Sequence, residues 1–262
     1  MACVNSQPCR KQQWLISSYF CAMQQEVLFR DLGRQHSYKE IWDYQENLLK
    51  ENTDRKALLR SADPATAGGL PSTVHRLLFV EHEPVYTLGK NGKESHVLIS
   101  AEERQNKQIE YFHINRGGDI TFHGPGQLVG YPILDLEKLK PDLGWYLRSL
   151  EEVIILTMAE YGLKGERSPG ETGVWLDPDQ KGRERKICAM GIKCSRWITM
   201  HGFAFNVNTD LAYFSHIVPC GIENKQVTSL QKEVGREIPF DEVKEKVKKN
   251  FEKVFAIHLV SA

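Results

Sequence analysis

Apolar residues at helical spacing predict a long amphipathic helix over residues 38–60, where Ile41, Trp42, Tyr44, Leu48 and Leu49 recur among charged positions. The pattern then changes period. Val74, Leu77, Leu78, Phe79 and Val80 make 73–81 a strand candidate, followed by a shorter one at 85–88 and a glycine-bounded turn at 89–92. Residues 109–114 and 128–134 read as further strands. The second carries no charge, as in a strand covered on both faces, and Pro132 within it predicts an edge position or a bulge. A second long helix is predicted over 143–161, with Gly162 as its cap. Val174-Trp175-Leu176 is a short strand within the glycine-, proline- and charge-rich stretch 165–185. Residues 186–193 and 197–207, separated by Cys194-Ser195-Arg196, read as a hairpin. An amphipathic helix over 241–255, with Val243, Val247, Phe251 and Val254 on one face, follows near the end. Strands and helices mixed in this way predict one α+β domain, a mixed β-sheet flanked by helices.

Composition narrows the function classes. The chain has 262 residues, 41% hydrophobic and 26% charged, enough for one large core. Acidic and basic residues balance at 34 each, which argues against a sequence-independent grip on nucleic acid. No run approaches the roughly 20 apolar residues that span a bilayer, and a membrane role is not expected. Residues 1–22 read as an N-terminal extension or a misassigned start, because the apolar stretch at 14–20 is short and broken by Ser17 and Ser18. A single domain is expected over 23–262. The six cysteines lack a paired CxxC spacing, so neither a zinc site nor a disulfide framework is expected, and free thiols fit the cytoplasm.

Three segments carry residue types that chemistry needs. The first is Arg116-Gly117-Gly118-Asp119-Ile120-Thr121-Phe122-His123-Gly124-Pro125-Gly126-Gln127, a glycine-crowded loop between two strand candidates. The second opens at Lys186 and runs Ile187-Cys188-Ala189-Met190-Gly191. The third contains Pro219-Cys220-Gly221. Cys220, between proline and glycine, suits an accessible nucleophile, or a small buried hydrophobe at a strand end. Lys186 is either an inward-pointing acid or base, or a solvated lysine beside Arg183 and Arg185. His123 and His201 are alternative bases for a cysteine, or hydrogen-bonded histidines that order the loop. Cys188 and Cys194 share parity on one strand and read as core residues.

These residues resemble a known family. The run 116–127, then Lys186-Ile187-Cys188-Ala189-Met190-Gly191, then His201-Gly202-Phe203-Ala204-Phe205-Asn206-Val207-Asn208-Thr209-Asp210, then Pro219-Cys220-Gly221 closely resemble the lipoyl(octanoyl) transferases. The resemblance begins near Val27 and includes Asp31-Leu32-Gly33, Tyr38 and the run 83–89. It implies the fold of the biotin and lipoate protein ligase catalytic domain. It also implies transfer of an octanoyl or lipoyl group from acyl carrier protein to a lysine of lipoyl domains. The acceptors would be 2-oxoacid dehydrogenases and the glycine cleavage H protein. The enzyme would be a monomer without cofactor or metal.

By the same resemblance, Cys220 is the nucleophile that carries the acyl thioester, and Lys186 lowers its pKa and serves as acid and base. Arg116, Gly117, Gly118, Asp119, Ile120, Thr121, Phe122 and His123 form the acyl pocket with Ala189, Met190 and Gly191, and with Gly202, Phe203 and Ala204. The rival readings are an ATP-dependent lipoate or biotin ligase, a lipoyl amidotransferase, and a non-catalytic acyl-binding protein. The cluster Lys181, Arg183, Arg185 and Lys186 is a candidate dock for an acidic carrier, or a solvated loop.

Overall fold

The computed structural model describes residues 25–63, 65, 68–218 and 226–262. The predicted extension at 1–22 and the Pro219-Cys220-Gly221 motif lie outside the described residues. A large mixed sheet forms the centre. Its strands are β1 (Gln25–Asp31), β2 (His75–Val80), β6 (Gln127–Ile133), β8 (Arg185–Ser195), β9 (Ile198–Asn206), β10 (Gln226–Val227) and β11 (Ile257–Ser261). They lie in the order β10-β8-β9-β6-β2-β1-β11, and β7 (Val174–Leu176) pairs with β8. A separate small sheet has the order β4-β3-β5, from β3 (Val85–Leu88), β4 (Glu110–His113) and β5 (Ile120–His123).

Helices cover both faces of the large sheet, which is why its inner strands are apolar on both sides. Helix α1 (Tyr38–Ser61) lays Ile41, Leu48 and Leu49 on Leu78, Val80, Val129, Tyr131 and Ile133. The short α2 (Ala101–Asn106) lies between β3 and β4. On the opposite face, α3 (Leu143–Ala159) and α5 (Phe240–Phe255) bury Leu150, Val153, Val243, Val247 and Phe251 against Leu77 and Phe79. Helix α3 stops at Ala159, two residues before the predicted end, and Gly162, at φ +75°, closes the turn behind it: its N–H donates to Ala159 O and Leu163 N–H donates to Met158 O. A last short helix, α4 (Leu230–Val234), follows β10.

Several expectations need correction. Residues 120–123 of the glycine-rich run are a strand, so the true loop is shorter. Pro132 lies in the middle of the sheet and not at its edge. The proline is tolerated because the β6–β9 ladder is interrupted opposite it. His201, its counterpart in register, has φ +59° and donates its backbone N–H to Gln45 Oε1. The β8–β9 hairpin turns at Arg196 and Trp197, both at positive φ, two residues later than composition indicated. Paired positive φ values match the twist of a two-residue hairpin, although neither residue favours them. Cys188 is in the core as expected, whereas Cys194 is only partly buried.

Candidate active site

A cavity of about 440 Å³ lies where β5 of the small sheet faces β6, β8 and β9 of the large one. Three of the sequence segments meet there. The 116–123 run contributes Arg116, Gly118, Asp119, Ile120, Thr121 and His123. Strand β8 contributes Lys186, Ala189, Met190 and Gly191, and β9 contributes Gly202, Phe203 and Ala204. Gly117 and Phe122 are not part of this lining. Phe122 faces the other side of β5, where its ring stacks on Tyr213 at 4.5 Å. Gly117 is a backbone clamp, donating its N–H to Ile192 O at 2.9 Å.

The loop is held from both flanks. Its carbonyls at Arg116, Gly118 and Asp119 accept from Lys90, Asn91 and Gly89 of the turn after β3. Arg116 is buried with its guanidinium turned back into the protein, donating to Thr87 O, Thr87 Oγ1 and Gly117 O. Gly191 makes this packing possible. A Cβ there would lie 2.8 Å from Gly117 O and 3.0 Å from Arg116 Cδ, so the strand admits the arginine stem only because residue 191 lacks a side chain.

The deep end is polar yet uncharged. His123 donates from Nδ1 to Gln127 Oε1, which is assigned as the acceptor because Gln127 Nε2 donates to Phe122 O and Asn206 Oδ1. Burial, then the neighbouring His82 ring, hold His123 well below the ordinary histidine pKa. His201 is pushed down to about 3 by burial and by the charges of Arg116 and Lys193, and its Nε2 meets Asn115 Oδ1. Both rings are therefore neutral near pH 7, and neither has the proton affinity of a general base.

Lys186 is the cation of the inner wall, 8% exposed, beside Ile120, Thr121, Ala189 and Ala204. Its ammonium lies 4.5 Å from the centroid of the Trp175 ring. The motif containing Cys220 is outside the described residues, but both flanks are placed. Val218 donates its N–H to His96 O, and Ile217 bridges Val97. Downstream, β10 runs parallel to the start of β8, with Val227 opposite Lys186 and Thr228 N–H on Lys186 O. The chain thus leaves the small-sheet side at Val218 and returns alongside Lys186.

Arg185 is not part of a free basic patch. It is paired with Glu233 and Asp177, and Lys186 points inward, which dissolves most of the cluster seen in the sequence. Tyr38, which belongs to the family resemblance, also lines the cavity, as do Val129, Tyr131 and the segment Gly170-Glu171-Thr172, which were not singled out beforehand. Val129 and Tyr131 alternate along β6, a signal legible once the strand's face is known. The 170–172 segment, in a loop brought in by β7, carries no such signal.

The cavity between the two sheets is lined by apolar and polar side chains together, Lys186 among them, in an α+β domain whose large sheet is covered by helices on both faces. The lipoyl protein ligase A/B catalytic domain family matches residues 37–252. An octanoyltransferase of Christiangramia forsetii is 56% identical over 238 residues, 90% of this chain and 99% of its own length. That of Flavobacterium johnsoniae is 51% identical over 91% of this chain and 100% of its own. Among solved structures, lipoate-protein ligase A bound with ATP superimposes with a TM-score of 0.62 at 15% identity, covering 92% of this chain and 89% of its own. A bipartite lipoate protein ligase of Thermoplasma acidophilum gives 0.60 at 18%, covering 91% and 87%. The chain belongs to the lipoyl protein ligase A/B catalytic domain family and, within it, to the octanoyltransferases: it is an acyltransferase.

Proposed function

We propose that this acyltransferase takes an octanoyl or lipoyl group from acyl carrier protein and places it on a lysine of a lipoyl domain, in two steps through a thioester on Cys220. The placement of Lys186 in the wall of the cavity, beside Ile120, Ala189 and Ala204 and next to the strand that follows the Cys220 motif, is the observation that carries this reading. Lys186 takes the thiol proton or stabilises the thiolate. Sulfur attacks the thioester carbonyl, the carrier's carbon–sulfur bond breaks, and the carrier thiol leaves with a proton from Lys186. The acceptor amine then attacks the Cys220 thioester, an amide replaces the carbon–sulfur bond, and Cys220 leaves as the free thiol, taking the proton that the amine loses. Thioester exchange is nearly balanced and amide formation is downhill, so no nucleotide is needed. The wall residues Ile120, Ala189, Met190, Phe203 and Ala204 suit an alkyl chain. At ~0.8 kcal/mol per buried CH₂, the seven carbons beyond the carbonyl contribute at most roughly 5–6 kcal/mol. The free thiols Cys188 and Cys194 fit a reducing compartment such as the cytoplasm.

The test is purified enzyme with octanoyl carrier protein and a lipoyl domain, without ATP. Octanoylated domain should accumulate, and Lys186→Arg should slow it severely while the fold stays intact. Product formation that requires ATP and releases pyrophosphate would instead establish the ligase reading.

A further inference from the structure

Trp175 pairs with Lys186 only because the β7–β8 ladder is irregular. Val174 lies opposite Cys188, but the register shifts before the next residue, so Trp175 faces Lys186 and Leu176 faces Arg185. In an uninterrupted antiparallel ladder, with Val174 opposite Cys188, Trp175 would have met Ile187. Bulges of this kind re-aim side chains near functional sites. The result is a buried indole, 2% exposed, with the Lys186 ammonium 4.5 Å from its ring centroid. The arm that carries Trp175 is itself anchored. Glu166 and Trp175 exchange backbone hydrogen bonds, and the buried Glu151 carboxylate accepts from Gly173 N–H at 3.0 Å and from Arg167 Nε at 3.0 Å.

An aromatic face attracts an ammonium through its quadrupole, most effectively where water is excluded. We propose that Trp175 is the positioning residue for Lys186: its ring face holds the ammonium in place, turned into the cavity. This rests on the reading of Lys186 as the proton partner of the acyl transfer. Trp175 itself touches no reacting atom in this account.

Two measurements test it. In the full chain carrying ¹³C-labelled lysine, the Lys186 Hε signals, assigned by their loss in Lys186→Arg, should be displaced upfield of the other lysines by the indole ring current. A Lys186 signal in the solvent-lysine range overturns the proposal, and this readout needs no variant of Trp175 to fold. In turnover, Trp175→Leu should lower kcat roughly 10- to 30-fold with KM for the carrier little changed, and Trp175→Phe should restore most of the rate. A Phe variant as slow as the Leu variant marks a packing role and overturns the proposal, as does full activity of Trp175→Leu beside a slow Lys186→Ala. Normal turnover by Lys186→Ala removes the underlying reading, and the proposal with it.

Discussion

His75, His82, His123 and His201 are buried and held neutral, each with its proton affinity reduced first of all by loss of hydration. His75 and His82 are pushed down to about 4 and His201 to about 3. In the unfolded chain the same rings take up protons near pH 6.5. Their folded pKa values lie below that, so protons favour the unfolded state. The stability they confer is present in full above about pH 6.5 and is lost as pH falls toward about 4, at up to ~1.4 kcal/mol per pH unit for each ring. Thermal unfolding should show Tm dropping steeply between pH 6.5 and 4.5, and His82→Gln should flatten that slope. An unchanged Tm across this range would mean the rings are protonated in the fold. The histidines at 123 and 201 were visible in the sequence as candidate bases. Their burial was not, because it depends on Gln127, Asn206 and Asn115, which lie far away along the chain or belong to other elements.

Helix α1 is attached to the sheet by a buried ion pair as well as by its apolar stripe. Lys56 donates to Asp135 Oδ1 at 2.8 Å and to Arg196 O at 2.9 Å, and Thr73 holds the other oxygen of Asp135. One lysine therefore joins α1, the second residue after β6 and the turn of the β8–β9 hairpin. Lys56→Met keeps the apolar stem but leaves Asp135 buried without its cation. It should cost about 3–5 kcal/mol in denaturant unfolding, and Lys56→Met with Asp135→Asn should recover part of that loss. A single variant as stable as the parent would contradict the assignment. At this scale the long helices, the β8–β9 pair and the Val174–Leu176 strand were legible because each has a strong local period. The parallel pair of β1 with the edge strand β11 was not legible, since it joins residues almost the whole chain apart. The hairpin turn was misplaced because Arg196 and Trp197 adopt positive φ without glycine or asparagine to announce it.

On the scale of the molecule, the candidate cavity lies between two sheets. The small sheet and its turn hold the glycine-rich loop and the chain up to Val218, while the large sheet supplies Lys186 and the apolar floor. The fold class was legible in the sequence, as was the meeting of three motif segments. The division into two sheets was not, because the 85–88, 110–113 and 120–123 strands carry the same alternation as the rest. No helix among the described residues is long and apolar enough to cross a membrane. The most direct test of the account is the acyl-enzyme itself. On mixing the enzyme with octanoyl carrier protein, intact mass should rise by one octanoyl group, hydroxylamine should remove it, and peptide mapping should place it on Cys220. Cys220→Ala should carry none. An adduct that persists in Cys220→Ala, or transfer to a lipoyl domain at the parent rate by that variant, would contradict the account.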